Sequence, residues 1–156
     1  MNVLLVEDDE FKAADIAKVL TDSLPHAKVQ RATSVTSALR SMTNQNYSLV
    51  VLDMSLPTFE LSGPGGGGSP QGQGGLEVLR LARRLENSSP FVIVTQYPDI
   101  DLDGRDVPLP AASKALQRFG VDVRKCILYE FDGDSWRAEL RECLSGMRGI
   151  RTRSKL

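Results

Sequence analysis

At 156 residues the chain has the size of one ordinary domain, and its 41% hydrophobic content can bury a core without covalent staples. Nineteen Lys and Arg against twenty Asp and Glu leave a net charge of -1, which excludes a global field for nucleic acid or anionic membrane, so neither is expected as a partner. The two cysteines, Cys126 and Cys143, do not make a secreted disulfide framework and read as reduced core thiols. No apolar run nears the roughly 20 residues that cross a bilayer, and Met1 to Asp9 does not resemble a signal peptide; a cytoplasmic location is expected.

Val3-Leu4-Leu5-Val6 is a short continuous apolar run that stops at Glu7-Asp8-Asp9-Glu10, as a strand buried on both faces stops at a sheet's rim. Phe11, Ala14, Ile16, Ala17, Val19 and Leu20 then recur near helical spacing until Pro25. Lys28 to Ala32 reads as a weak second strand. Ser34 is an N-cap for a helix carrying Val35, Ala38, Leu39 and Met42, and Tyr47 to Asp53 is a third strand ending in an acid. Leu76 to Leu85 has helical periodicity, Phe91 to Thr95 is a fourth strand, Ala111 to Phe119 a weaker helix, and Cys126 to Tyr129 a fifth strand. Asp134 is placed to cap a last helix, in which Trp136, Leu140, Cys143 and Leu144 face the core.

Alternating strands and helices predict a doubly wound parallel sheet with helices on both faces, whose ligands bind beyond the carboxyl ends of the strands. Two stretches interrupt the alternation: a Gly-rich insertion at about 58–75, read as a flexible loop, and a long loop at about 98–110 rich in Asp, Gly and Pro. The predicted domain covers 1–147, leaving 148–156 as a basic tail with Arg148, Arg151, Arg153 and Lys155. Gly63 to Gly68 formally fits a dinucleotide-loop pattern but neither follows the first strand nor opens a helix, and His26 has no second histidine to form a metal or relay site.

Three strand ends therefore bring Glu7 and Asp8, then Asp53, then Thr95 to one rim. Carboxylates so gathered repel one another unless a cation neutralises them, and hard oxygen ligands favour Mg²⁺. With such a cation beside it, Asp53 is placed to attack phosphorus in line and become an acyl phosphate.

Val6-Glu7-Asp8-Asp9, Val51-Leu52-Asp53-Met54-Ser55-Leu56-Pro57 and Val92-Ile93-Val94-Thr95 resemble the successive signatures of response-regulator receiver domains, the CheY-like family of two-component phosphorelay signalling, and the resemblance spans about Asn2 to Met147. It implies a flavodoxin-like five-stranded sheet of order 2-1-3-4-5. It further implies Asp53 as phosphoacceptor, Glu7 and Asp8 as the acid pair for Mg²⁺, and the Ser55 carbonyl as a further metal ligand. Thr95 would be the switch hydroxyl that contacts the phosphoryl group. The implied partners are a histidine kinase or phosphotransfer protein and a downstream protein, and the implied role is signalling rather than turnover.

The chain departs from the family pattern in two places. Receivers carry a lysine at the end of the fifth strand, where its ammonium pairs with the phosphoryl group; here Tyr129 or Glu130 holds that position. The residue after the switch hydroxyl is usually small, and here it is Gln96. These departures raise a second expectation, a phosphorylation-independent pseudo-receiver that acts as a protein interaction module.

Overall fold

The structure is a computed structural model and describes residues 1–59 and 73–154. Among the described residues, seven strands and five helices follow one another as β1 (Asn2–Val6), α1 (Glu10–Ser23), β2 (Lys28–Ala32), α2 (Val35–Asn44), β3 (Leu49–Leu52), α3 (Gly74–Arg84), β4 (Pro90–Thr95), β5 (Asp99–Leu102), β6 (Arg105–Pro108), α4 (Leu109–Gln117), β7 (Asp122–Leu128) and α5 (Ser135–Ser154). Five strands form one parallel sheet in the order β2-β1-β3-β4-β7, the predicted winding with β7 as the fifth strand of the sheet.

The continuous apolar runs behave as expected of strands covered on both sides. Leu4, Val6, Val50, Leu52, Phe91 and Ile93 point into a core shared with α2, α3 and α4. Val3, Leu5, Leu49, Val51, Val92 and Val94 point into a second core with α1 and α5, anchored by Trp136, Leu140 and Leu144. The edge strands are the weakly patterned ones. In β7, Val123 is buried while Asp122 and Arg124 are exposed, so the strand begins four residues before the purely apolar segment that sequence periodicity marks at Cys126. Cys126 is half-buried and free, and burial pushes its thiol up to about 12, consistent with a structural role.

The segment expected as a long loop at about 98–110 is instead an antiparallel hairpin of β5 and β6 leading into α4. Asp103 and Gly104 both have positive φ, 54° and 88°, the requirement of a two-residue type I′ turn, and Ile100 faces Val107 across the ladder as its buried pair. An Asp-Gly turn was the available signal. It was masked because each strand has only four residues and buries a single apolar side chain. The hairpin is tied to α3 by Arg80 to Asp103 (2.7 Å) and by Gln73 donating to Asp101 (3.2 Å).

Most of the predicted Gly-rich insertion, 60–72, lies outside the described residues, and its end is not loop: Gly74 and Gly75 form the first turn of α3. Helix α5 runs to Ser154, so the segment expected as a basic tail from 148 continues that helix; Lys155 lies outside the described residues. Among the described residues no helix is long and apolar enough to cross a membrane.

Candidate functional site

Parallel register aligns the strand ends: Val6 pairs with Leu52, and Leu52 with Ile93. Each chain therefore leaves the sheet at one rim. Glu7 N–H donates to Ala32 O (3.0 Å) and Asp53 N–H to Val6 O (3.1 Å), which carries the ladder one residue past the strands and fixes both acids at the rim. Carboxylate oxygens of Glu7, Asp8 and Asp53 all lie within 4.8 Å of one another. Glu7 and Asp53 are only 1% and 7% exposed, whereas Asp8 is half-buried.

These acids wall a cleft of about 190 Å³ with Asp9, Lys12, Ser55, Gln96 and Tyr97. Ser55 lines the same cleft. Thr95 is fully buried at the end of β4, and its hydroxyl accepts the Tyr97 N–H at 3.3 Å. Gln96 and Tyr97, not Thr95, form that wall of the cleft.

Lys12, which sequence reading passed over, stands at the centre of the site. Its ammonium is 2.7 Å from Glu7 Oε1 and 3.1 Å from Asp53 Oδ1, and it donates a hydrogen bond to Val94 O at 2.9 Å. The lysine is 2% exposed. Local sequence explains its placement. Asp9 caps α1 by accepting from Phe11 N–H and Lys12 N–H, so Lys12 sits in the first turn, one helical repeat before Ile16. The buried stripe of α1 is Lys12, Ala13, Ile16, Val19 and Leu20. Phe11 and Ala14, expected on the core face, point outward instead, Phe11 with 79% exposure. Counting back from Ile16, Val19 and Leu20 in threes and fours reaches 12 and 13, a signal hidden because a lysine does not register as a core residue.

Of the two residues expected at the strand-end lysine position, Tyr129 is buried and its N–H donates to Thr95 O (2.8 Å), while Glu130 is exposed. The Tyr129 ring is buried against Trp136, with centroids 4.9 Å apart, and its hydroxyl donates to Asp15 Oδ2 at 2.8 Å. The Lys12 ammonium lies 5.5 Å from the Tyr129 ring centroid, within cation–π range.

The electrostatics follow from burying two carboxylates beside one ammonium. Burial raises the Glu7 carboxyl to about 7, with the neighbouring Asp53 charge adding to the rise and Lys12 opposing it. Asp53 is also raised, by burial, against the opposing pull of Lys12 and of the Ser55 and Met54 amides. Glu7 Oε1 and Asp53 Oδ1 are buried with the Lys12 ammonium as their close partner, at 2.7 and 3.1 Å, and that same ammonium also donates to Val94 O. Three carboxylates and one ammonium leave a formal charge of about -2, and such oxygens fit a hard divalent cation.

Helix α3 presses on the loop that carries Asp53. Gly75 N–H donates to Met54 O (2.9 Å), and a Cβ on Gly75 would stand 2.5 Å from Asp53 O and 2.7 Å from Met54 Cα. Gly75→Ala is expected to cost about 1–3 kcal/mol in urea denaturation, because the backbone of the acidic loop must move, and to weaken Mg²⁺ binding measured by calorimetry. Unchanged stability and Mg²⁺ affinity would show that the loop gives way freely.

No protein-family model matches the chain. It is 31% identical over 148 residues to the Detocs response regulatory protein DtcB of Vibrio alginolyticus, covering 91% of this chain and 98% of that protein. Among solved structures, the receiver domain of a sensor histidine kinase from Pseudomonas aeruginosa PAO1, with a magnesium ion coordinated in its active-site cleft, matches 95% of this chain and 97% of its own, with a TM-score of 0.61 and 22% identity. A CheY-like response regulator receiver domain from Methanospirillum hungatei covers 96% and 97%, with a TM-score of 0.60 and 19% identity.

Proposed function

The chain belongs to the response-regulator receiver family, and on that premise we propose that Asp53 accepts a phosphoryl group from a histidine kinase or phosphotransfer protein and that the phosphorylated domain signals through a protein partner. The observation that carries this reading is the cluster of Glu7, Asp8 and Asp53, whose carboxylate oxygens lie within 4.8 Å of one another around one cleft with a single ammonium, Lys12, against them. Glu7, Asp8, Asp53 and the Ser55 carbonyl would hold Mg²⁺, which when bound neutralises charge on the transferring phosphoryl group.

In the transfer an Asp53 carboxylate oxygen forms a bond to phosphorus. The bond from phosphorus to the donor breaks, and its electron pair stays with the donor atom: the imidazole nitrogen of a phosphohistidine, or the leaving oxygen of a small acyl phosphate. Thr95 would be the switch hydroxyl: its oxygen accepts the Tyr97 N–H at 3.3 Å, and its own O–H would donate to a phosphoryl oxygen. The receiver domain is proposed to span 1–147, although α5 itself continues unbroken past that boundary to Ser154.

Incubation of the protein with Mg²⁺ and a small acyl phosphate, followed by intact-mass spectrometry, is expected to show one phosphoryl adduct that is lost in EDTA controls. A complete absence of adduct at saturating Mg²⁺ would leave the phosphorylation-independent interaction module as the reading.

A further inference from the structure

We propose that Lys12 supplies, from the first turn of α1, the phosphoryl-contacting ammonium that other receivers supply from the end of their last sheet strand. The inference rests on the reading of Asp53 as phosphoacceptor and identifies a residue that acts on the reacting group.

Four observations converge. Lys12 Nζ lies 3.1 Å from Asp53 Oδ1, close enough to contact a group attached to that carboxylate without moving its backbone. Its second ion pair, to Glu7 Oε1 at 2.7 Å, places it between the nucleophile and one member of the acid pair. Its ammonium also donates to Val94 O, which holds the charged head against β4, the strand that ends in Thr95. Finally, the strand-end position itself holds Tyr129, whose buried ring lies 5.5 Å beneath the ammonium and is locked by its hydroxyl bond to Asp15 in the same α1.

The exchange is compensatory: a lysine at the Tyr129 position would put a second ammonium against Lys12, whereas an aromatic ring there gives the α1 lysine an attractive floor. When phosphorus bonds to Asp53, the ammonium exchanges its contact with the carboxylate oxygen for one with a phosphoryl oxygen. It donates hydrogen bonds and transfers no proton. A four-carbon stem with three rotatable donors permits that shift.

The test uses the whole chain at saturating Mg²⁺, with a small acyl phosphate as donor. Lys12→Met is expected to form the Asp53 adduct about 10²-fold more slowly, the loss typical of one preorganised charge-stabilising donor, while binding Mg²⁺ at least as tightly as the parent because a competing cation is gone. Lys12→Arg, which keeps the charge, is expected to recover part of the rate. A merely structural lysine would lower rate and Mg²⁺ affinity together, and a lysine that only stands in for the cation until Mg²⁺ binds would give a faster Lys12→Met; either result overturns the inference. Should Lys12→Met not fold, a crystal structure of the unaltered protein with Mg²⁺ and beryllofluoride decides: Lys12 Nζ within hydrogen-bond distance of a fluoride supports the inference, and an ammonium turned away from it overturns it. Failure of the unaltered protein to form any adduct is a separate outcome that refutes the phosphoacceptor reading itself and the Lys12 inference with it.

Discussion

Asp53→Asn, incubated with Mg²⁺ and a small acyl phosphate, should yield no phosphoryl adduct, should bind Mg²⁺ more weakly, and should be more stable than the parent protein at pH 8 without metal. The three effects have one origin. The amide cannot serve as the attacking carboxylate, so the loss of adduct is complete. It brings no charge to the cation site, leaving Glu7 and Asp8 as acidic ligands. It also removes the charge that helps raise the Glu7 carboxyl, so Glu7 ionises beside Lys12 at lower cost. Intact-mass spectrometry, calorimetric Mg²⁺ titration and urea denaturation measure the three. An adduct on Asp53→Asn would place the phosphoacceptor elsewhere, and reduced stability would mean that Asp53 mainly serves as a partner for Lys12.

The second large effect is a pH dependence that Glu7 imposes on the metal-free protein. Its folded-state carboxyl is raised to about 7 from an ordinary value of 4.5. Between those values the native state holds a proton that the unfolded chain has released, so the stabilisation is fully present below about 4.5 and is lost as pH rises through about 7. The difference is on the order of 3 kcal/mol, and the raised Asp53 carboxyl acts with the same sign. Urea denaturation in EDTA should therefore show the protein losing stability from pH 5 to pH 8. Glu7→Gln should flatten that slope, and Mg²⁺ should offset it by binding the native state. A parent protein whose stability is level from pH 5 to pH 8 would mean that Lys12 already holds Glu7 ionised.

The acids of the site were legible in the sequence because each terminates a continuous apolar run, and a run of that kind has one direction and one end. Val6-Glu7, Leu52-Asp53 and Val94-Thr95 lie at the rim for that reason, and the parallel register brings the first two pairs together. The cation was not legible. Lys12 belongs to a helix whose apolar residues can be placed on more than one face, and Phe11, the most conspicuous of them, is exposed. Only the Asp9 cap and the Ile16, Val19 and Leu20 stripe fix the rotation that turns Lys12 inward. The missing lysine was visible as a departure from the family pattern at Tyr129 or Glu130, but a substitution at one strand end does not reveal that a neighbouring helix can make up for it. The β5–β6 hairpin was missed on different grounds, since its turn chemistry is explicit while its strands are too short to carry periodicity.

The neighbouring Gly74 and Gly75 were read with the loop that precedes them. Their place in α3 is set by contact: a Cβ on either would meet backbone of the segment Asp53 to Leu56 at 2.5–2.6 Å. Close approach of helix to loop, rather than flexibility, requires glycine at these two positions.

The most direct measurement is chemical mapping of the acyl phosphate in the unaltered protein. After phosphorylation with Mg²⁺ and a small acyl phosphate, borohydride reduction converts a phosphorylated aspartate to homoserine, which peptide mass spectrometry locates. Homoserine at position 53, absent when Mg²⁺ is withheld, is the expected result; an unmodified Asp53 in phosphorylated protein, or a stable phosphate on a hydroxyl such as Ser55, would contradict it.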